Sequence, residues 1–448
     1  MEKHTFCNQQ RDQMILVSRS YIEQESFIFR HRRSKKDFTR KRSLTFARVM
    51  LFMIQKSLKS LQLRLNEFME QWENGERVGI SAWSQARVKL RHTAFIELNE
   101  KAILEVIYSE KDRASLKLWH GHRLLTVDSS LIRLPQSLEL REAFRVVETR
   151  NQQGECGIGY PEGRVSVLYD VLNRISLDGI LVNSQQGELT TALDHLVRLD
   201  SRDVVLTDRG YPSFRWFAEI LKRGANFICR CSSNSFLEAQ ELFDANRDGV
   251  SKTVRLYASK RVRSKLQELG LPSSIVVRFI SVRLSTGELE VLVTSLLDSE
   301  IYPVSLFGEV YHQRWGIETY YHLLKGRLDL ENFSGKSVES VQQDFHSTIF
   351  VSNAETMLTR PLAEPLSQIS TQRKYPVQIN RAVSFHTLKS HALDLFFSKI
   401  PTEEVIWKLQ ELFLGNLVSV RPKRQVPRKK MSAWSSLHYQ KRIKKIVF

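Results

Sequence analysis

The stretch YHQRWGIETYYHLLK, Tyr311 to Lys325, mixes rings, cations and one carboxylate at a spacing that decides how the rest of the chain reads. Taken as a helix at about 100° per residue, it places Tyr311, Arg314, Glu318 and Lys325 within about 60° of arc, a polar stripe rising about four turns. Trp315, Ile317 and Leu324 point elsewhere and can pack. Gly316 costs such a helix roughly 1 kcal/mol against alanine and lets another backbone come close. Alone, the stripe amounts to an i,i+4 Arg–Glu pair on an exposed helix, worth a few tenths of a kcal/mol. Its meaning depends on what precedes it.

Working back from the stripe, the chain alternates between strand and helix patterns. RLLTVDSSLIRL holds an apolar run ending at Asp128, followed by a further extended stretch. RVSVLYDVLN (Arg164 to Asn173) and RISLDGILV (Arg174 to Val182) read as a hairpin. GELTTALDHLVRL reads as a helix with Glu188 near its start, and VVLT as a short buried strand ending at Asp208. SFRWFAEILKRG is a helix closed by Gly224, and ANFICRC another strand. This order predicts a mixed α/β sheet with helices packed on it. Between about Ser232 and Pro303, KTVRLYAS, SIVVRFISVRL and GELEVLVTSLL alternate as antiparallel strands do, with Thr286–Gly287 as a turn.

The N-terminal third reads as helical. Apolar residues recur at helical spacing from Leu44 to about Trp72, and ISAWSQARVKLRHTAFIELNEKAI follows with Ser81 as its expected N-cap. Residues beyond the stripe are mostly helical to about Leu414. The expected organisation is therefore a basic helical region over 1–115, a first part of the α/β core over 116–231, a strand-rich insertion over 232–305, a helical region completing the core over 306–360, and a helical C-terminal region with a basic tail over 361–448.

Charge narrows the partner. Lys+Arg of 67 against Asp+Glu of 49 gives a formal net charge of +18, and the sequence pI is near 9.7. Such a surplus favours a polyanion, because each phosphate neutralised releases condensed counterions. The cations concentrate in RHRRSKKDFTRKR (Arg30 to Arg42) and from Arg421 onward, neither beside an apolar run long enough to span a bilayer. The N-terminus lacks a signal-peptide pattern. The chain thus reads as cytosolic, bound to nucleic acid rather than membrane. Its four scattered cysteines fit a reducing compartment, and the Cys229-x-Cys231 pair fits strand packing better than zinc.

Asp128 and Asp208 each close an apolar strand, where a carboxylate is costly unless it faces a sheet's open end or a cation. Asp203 and Asp170 are rivals by residue type, but one precedes its strand and the other lies inside the hairpin. With Glu318, the two aspartates can hold two Mg²⁺ or Mn²⁺ ions through hard oxygen ligands, an arrangement suited to in-line phosphoryl transfer. SGKS (Ser334 to Ser337) is no phosphate loop, because Leu330 stands where that pattern needs glycine.

The order Asp128, Asp208, Glu318, with Y-x2-R-x3-E-x6-K at Tyr311, Arg314, Glu318 and Lys325, resembles the DDE transposases of bacterial insertion sequences. It is similar in particular to the IS-four family, which bears this signature. Trp315 after the arginine, the Asp208–Arg209 pair and the segment ISAWSQARVKL match the same family. The resemblance implies a ribonuclease-H-like catalytic core interrupted by the β insertion. It further implies two divalent metal ions on Asp128, Asp208 and Glu318, and contacts to terminal DNA from Tyr311, Arg314, Trp315, Lys325 and Arg209. The implied reaction is cut-and-paste transposition through nicking, hairpin formation and strand transfer. Its partners are transposon ends, target DNA and a second subunit, in the bacterial cytosol. A transposase-derived DNA-binding protein without catalysis, and a nuclease that never joins strands, are the alternative readings.

Overall fold

A computed structural model describes residues 2–421 except 41, 73–75, 149–155, 285 and 398–399. The C-terminal basic block beyond Arg421 lies outside the described residues. The chain divides into two compact units. Lys117–Arg133 with Arg141–Leu323 form a sheet unit; Met1–Leu116, Leu134–Leu140 and the described residues from Leu324 onward form a helical unit.

The sheet unit is built on nine strands: β1 (Arg123–Arg133), β2 (Arg145–Val147), β3 (Tyr160–Asp170), β4 (Ile175–Asn183), β5 (Asp203–Thr207), β6 (Asn226–Cys231), β7 (Ser251–Tyr257), β8 (Ser274–Arg283) and β9 (Leu289–Thr294). Their order is β2-β3-β1-β5-β6-β9-β8-β7, with β4 also on β3. β1 runs antiparallel to β3 but parallel to β5, and β5 parallel to β6. The all-apolar VVL of β5 follows from that central position, since a strand covered on both faces needs no alternation. β9, β8 and β7 add antiparallel strands beyond β6, so the expected insertion extends the same sheet. Outermost β7, SKTVRLY, is mostly exposed and carries Lys252 and Arg255, the charges that discourage pairing at an edge.

One core cluster sits where the helix Ser305–His312 packs on the middle of the sheet, joining Leu124, Val204, Leu206, Ile228, Ile280 and Leu292 to Phe307, Val310 and Tyr311. The rival acids are accounted for here. Asp203 takes two bonds from Arg123, at 2.6 and 2.9 Å, and Asp170 accepts the amides of Leu172 and Asn173 in the hairpin turn.

In the helical unit, the helix Val338–Thr359 is buried on nearly every side and starts with a Ser337 capping box. Arg87, from the helix Ile80–Arg87, reaches its Gln343, Ser340 and Asp344.

Several sequence expectations need correction. The apolar run from Leu44 is two helices, Phe46–Ile54 and Leu61–Glu70. The helix expected to start at Ser81 is capped by Gly79 and stops at Arg87. The insertion also contains two helices, Leu237–Ala245 and Lys260–Glu268. β1 does not end at Asp128, because its antiparallel partner β3 carries it on to Arg133. Only the parallel ladder to β5 stops nearby, at Thr126. Tyr311–Lys325 is two helices, Ser305–His312 and Trp315–Gly326. At the junction the amides of Gln313, Arg314, Gly316 and Ile317 bond three residues back, which tightens the turn and changes the phase of the stripe.

Candidate active site

Asp128 lies on β1 just past the last parallel pairing with β5, and Asp208 directly follows β5. Neighbouring parallel strands thus deliver two carboxylates to the same end of the sheet. Each is held by a local amide: Asp128 Oδ1 accepts from Ser129 N at 2.8 Å, and Asp208 Oδ1 from Gly210 N at 2.8 Å. Burial raises the Asp128 carboxyl to about 7 against the pull of the Ser129 amide, and the charges of Glu188 and Asp208 push the same way. A shift in that direction means that burial outweighs both the Ser129 amide and the charge of Arg314, which act to lower it.

Glu318 opens the helix Trp315–Gly326. Arg314 Nη2 donates to its Oε1 at 2.9 Å. Burial disfavours the guanidinium charge, yet Tyr311, Glu318 and Asp208 outweigh it and hold Arg314 more basic than usual. Arg314 is only 7% exposed, and its Nε has no hydrogen-bond partner. Asp208 and Asp128 also feel the charge of Arg314.

Other expected contacts fall differently. Tyr311 is buried in the sheet core and its hydroxyl donates to the Thr207 carbonyl at 3.3 Å, beside Asp208. In this conformation it braces the end of β5. Trp315 is 45% exposed, with the Arg314 guanidinium 5.0 Å from its ring centroid, and Arg209 is exposed. Lys325 lies in the last turn of the Glu318 helix, in the portion of chain belonging to the helical unit; burial lowers its pKa, with Glu331 acting against that.

Sequence reasoning missed a fourth carboxylate. Tyr211, 1% exposed, donates its hydroxyl to Glu188 Oε1 at 2.9 Å, and its amide bonds the Asp208 carbonyl at 3.2 Å. Glu188 thereby joins the turn that carries Asp208, and its charge reaches Asp128. The only sequence signal was a tyrosine three residues after an acid; it recurs at Tyr321 after Glu318.

The donors are hard carboxylate oxygens, the set Mg²⁺ or Mn²⁺ takes. The buried Cys229 thiol instead donates to the Asp208 carbonyl, at 3.5 Å. Among the described residues, no three His, Cys, Asp or Glu side chains stand preassembled as the ligands of one ion. Glu318 is engaged by Arg314 at 2.9 Å.

A carboxylate group of this kind at the end of a mixed sheet is what strand-cutting phosphoryl-transfer enzymes use. The family model described as transposase DDE domain matches residues 119–354, more than half of the chain, and the chain belongs to that family. No curated protein sequence matches it. Among solved structures, it is similar to the cryo-EM structure of the piggyBac transposase synaptic complex with hairpin DNA, at 9% identity and a TM-score of 0.44, over 92% of this chain and 86% of that one.

Proposed function

We propose that the chain is an insertion-sequence transposase of the IS-four type, with Asp128, Asp208 and Glu318 as its catalytic carboxylates. The observation that carries this reading is the position of Arg314. One guanidinium bonds Glu318 and lies within electrostatic reach of both Asp208 and Asp128, inside the segment that matches the family. The order β4-β3-β1-β5-β6, antiparallel on one side of β1 and parallel on the other, supports a ribonuclease-H-like core. β9, β8 and β7 come from the segment inserted before Glu318.

Asp128, Asp208 and Glu318 would hold two divalent ions, which when bound would supply activation of the attacking oxygen and charge neutralisation at the leaving oxygen. The residues do the rest. Asp128, costly to ionise when buried, would gain a counter-charge from a bound cation. Glu318 would be a ligand of the cation, and Arg314, with its Nε unpartnered, would offer donors to the DNA phosphate. Exposed Trp315 offers a stacking face for a base displaced as a hairpin forms, and ring stacking offsets part of the unstacking cost of a few kcal/mol. Arg209 and Lys325 add backbone contacts, and Tyr311 acts through the end of β5.

The helical unit carries a cleft of about 570 Å³ lined by Lys36, Arg40, Arg42, Arg77 and Lys89, with no acid in its lining. Its charge suits the sugar–phosphate backbone of transposon ends or target DNA. We take the working form on paired ends to be a homodimer in the bacterial cytosol. Among the described residues no helix is long and apolar enough to cross a membrane.

The test uses purified protein, supercoiled DNA bearing the element's ends, and Mg²⁺. Alanine at Asp128, Asp208 or Glu318 abolishes nicking and joining while end binding persists. Wild-type cleavage by any of the three variants removes that residue from the site. Nicking without joined products assigns the chain to a nuclease, and end binding without nicking in the unmutated chain to a non-catalytic DNA-binding protein.

A further inference from the structure

The helix bearing Glu318 is fixed to the sheet by two adjacent tyrosines that do different work. Tyr320 stacks on Tyr169 of β3, with centroids 4.4 Å apart, and its hydroxyl accepts from Ser176 of β4 at 2.6 Å. Tyr321 points to the acid strand. It is 6% exposed, and its hydroxyl donates to the Asp128 carbonyl at 2.7 Å, with the Val165 carbonyl 3.3 Å away. Below them, Gly316 lies so close to Val171 that a Cβ there would meet its Cγ1 at 3.2 Å.

We infer that Tyr321 is a positioning residue for the cleavage reaction: its hydroxyl ties the backbone of the first acid, Asp128, to the helix turn that presents the third acid, Glu318. This deepens the proposed function and rests on it. Asp128 and Glu318 come from elements 190 residues apart in sequence, by their numbers, and two carboxylates that share cations must be held to a fraction of an ångström. Past Thr126 the parallel ladder from β5 has ended, so β1 loses one lateral support where Asp128 sits. The Tyr321 bond is made at that residue. Groups that orient metal-binding carboxylates typically change metal affinity or activity by about 10–100-fold when removed.

The experiment compares Tyr321→Phe with Tyr320→Phe in the full chain. Both lose one buried hydroxyl from the same helix turn and keep the ring, and only the first loses a bond to the acid strand. Two readouts are followed over a Mg²⁺ titration: the rise in Tm, which needs no activity, and the rate of nicking of end-bearing DNA. For Tyr321→Phe the Mg²⁺ midpoint moves up by about tenfold in both, end binding is unchanged, and the nicking deficit shrinks at saturating metal. For Tyr320→Phe the midpoint stays at the wild-type value. A wild-type midpoint in Tyr321→Phe, or an equal shift in both variants, overturns the inference and leaves the transposase reading standing. Should Asp128→Ala nick like the wild type, the transposase reading fails and this inference with it. If Tyr321→Phe is unfolded at the assay temperature, the two tyrosine variants are compared by Tm alone, from a start temperature below both transitions: a Mg²⁺ midpoint raised only in Tyr321→Phe supports the inference, and a wild-type or equally shifted midpoint overturns it.

Discussion

Arg87–Asp344 in the helical unit and Arg314–Glu318 in the sheet unit are both arginine–carboxylate pairs with a largely buried guanidinium, and the two are finished differently. In the helical unit Arg87 donates to Gln343, Ser334, the Ser340 carbonyl and Asp344, at 2.7 to 3.0 Å, while Asp344 also receives the amide and hydroxyl of Ser334. Gly335 leaves room for that network, since a Cβ there would come within 2.9 Å of Arg87 Nη1. In the sheet unit Arg314 makes one bond to Glu318, leaves Nε unpaired, and Glu318 keeps 35% of its side chain exposed. A saturated buried pair has nothing left to offer a ligand. An unsaturated pair beside other carboxylates is arranged for something that arrives later.

The largest test of this contrast exchanges the roles. Asp344→Ala leaves the Arg87 charge buried and uncompensated, which costs about 3–5 kcal/mol. Urea unfolding then shows a large fall in midpoint while the nicking rate per folded molecule is unchanged. Glu318→Ala does the reverse, abolishing nicking while the midpoint moves little. If Glu318→Ala unfolds the protein as readily as Asp344→Ala, the distinction between the pairs is wrong.

Arg314→Ala sharpens the functional half. It impairs hairpin formation more than the first nick, read as the ratio of hairpin to nicked product on end-bearing DNA. Equal loss at both steps counts against a hairpin role for the arginine.

A third prediction concerns pH. The folded Asp128 carboxyl titrates near 7, above its ordinary range near 3.8. Between those values the folded state holds more protons than the unfolded one, so stability is full below about 4 and is lost as pH rises to about 7. The loss is on the order of a few kcal/mol. Urea midpoints without metal decline across that window in the wild type and much less in Asp128→Asn. Added Mg²⁺ restores stability at pH 8 and does little at pH 4. A flat wild-type profile would show that Asp128 is compensated already.

The smallest effect is that of Glu188→Gln, which removes one neighbouring negative charge. The Asp128 titration, followed by carboxyl ¹³C chemical shift in metal-free protein, moves down by less than about one unit. No movement places Glu188 outside the site.

Much of this was legible in the chain. Alternation located β3, β4 and the antiparallel β7, β8 and β9, and the VVL run located the central β5. Local patterns said less where neighbours decide the outcome. Asp128 reads as the end of a strand because its apolar run stops there, whereas β3 extends the ladder from the other side. The break before Trp315 was hidden because the junction changes only from four-residue to three-residue hydrogen bonds over a few residues, which no residue type there marks. Glu188 and the tyrosines that reach Glu188 and Asp128 depend on contacts between distant segments, which no spacing encodes. The saturated Arg87 network is of the same kind.

The route of the chain through the sheet has a consequence for synthesis. Asp128 and Asp208 are neighbours as soon as β1 and β5 pair, but β6, the helix-bearing hairpins of β7 to β9 and the core helix Ser305–His312 are all made before Glu318 emerges. Closing contacts so far apart in sequence is slow compared with local folding. An incomplete nascent chain therefore already carries the cations of Arg30 to Arg42 while it still lacks Glu318.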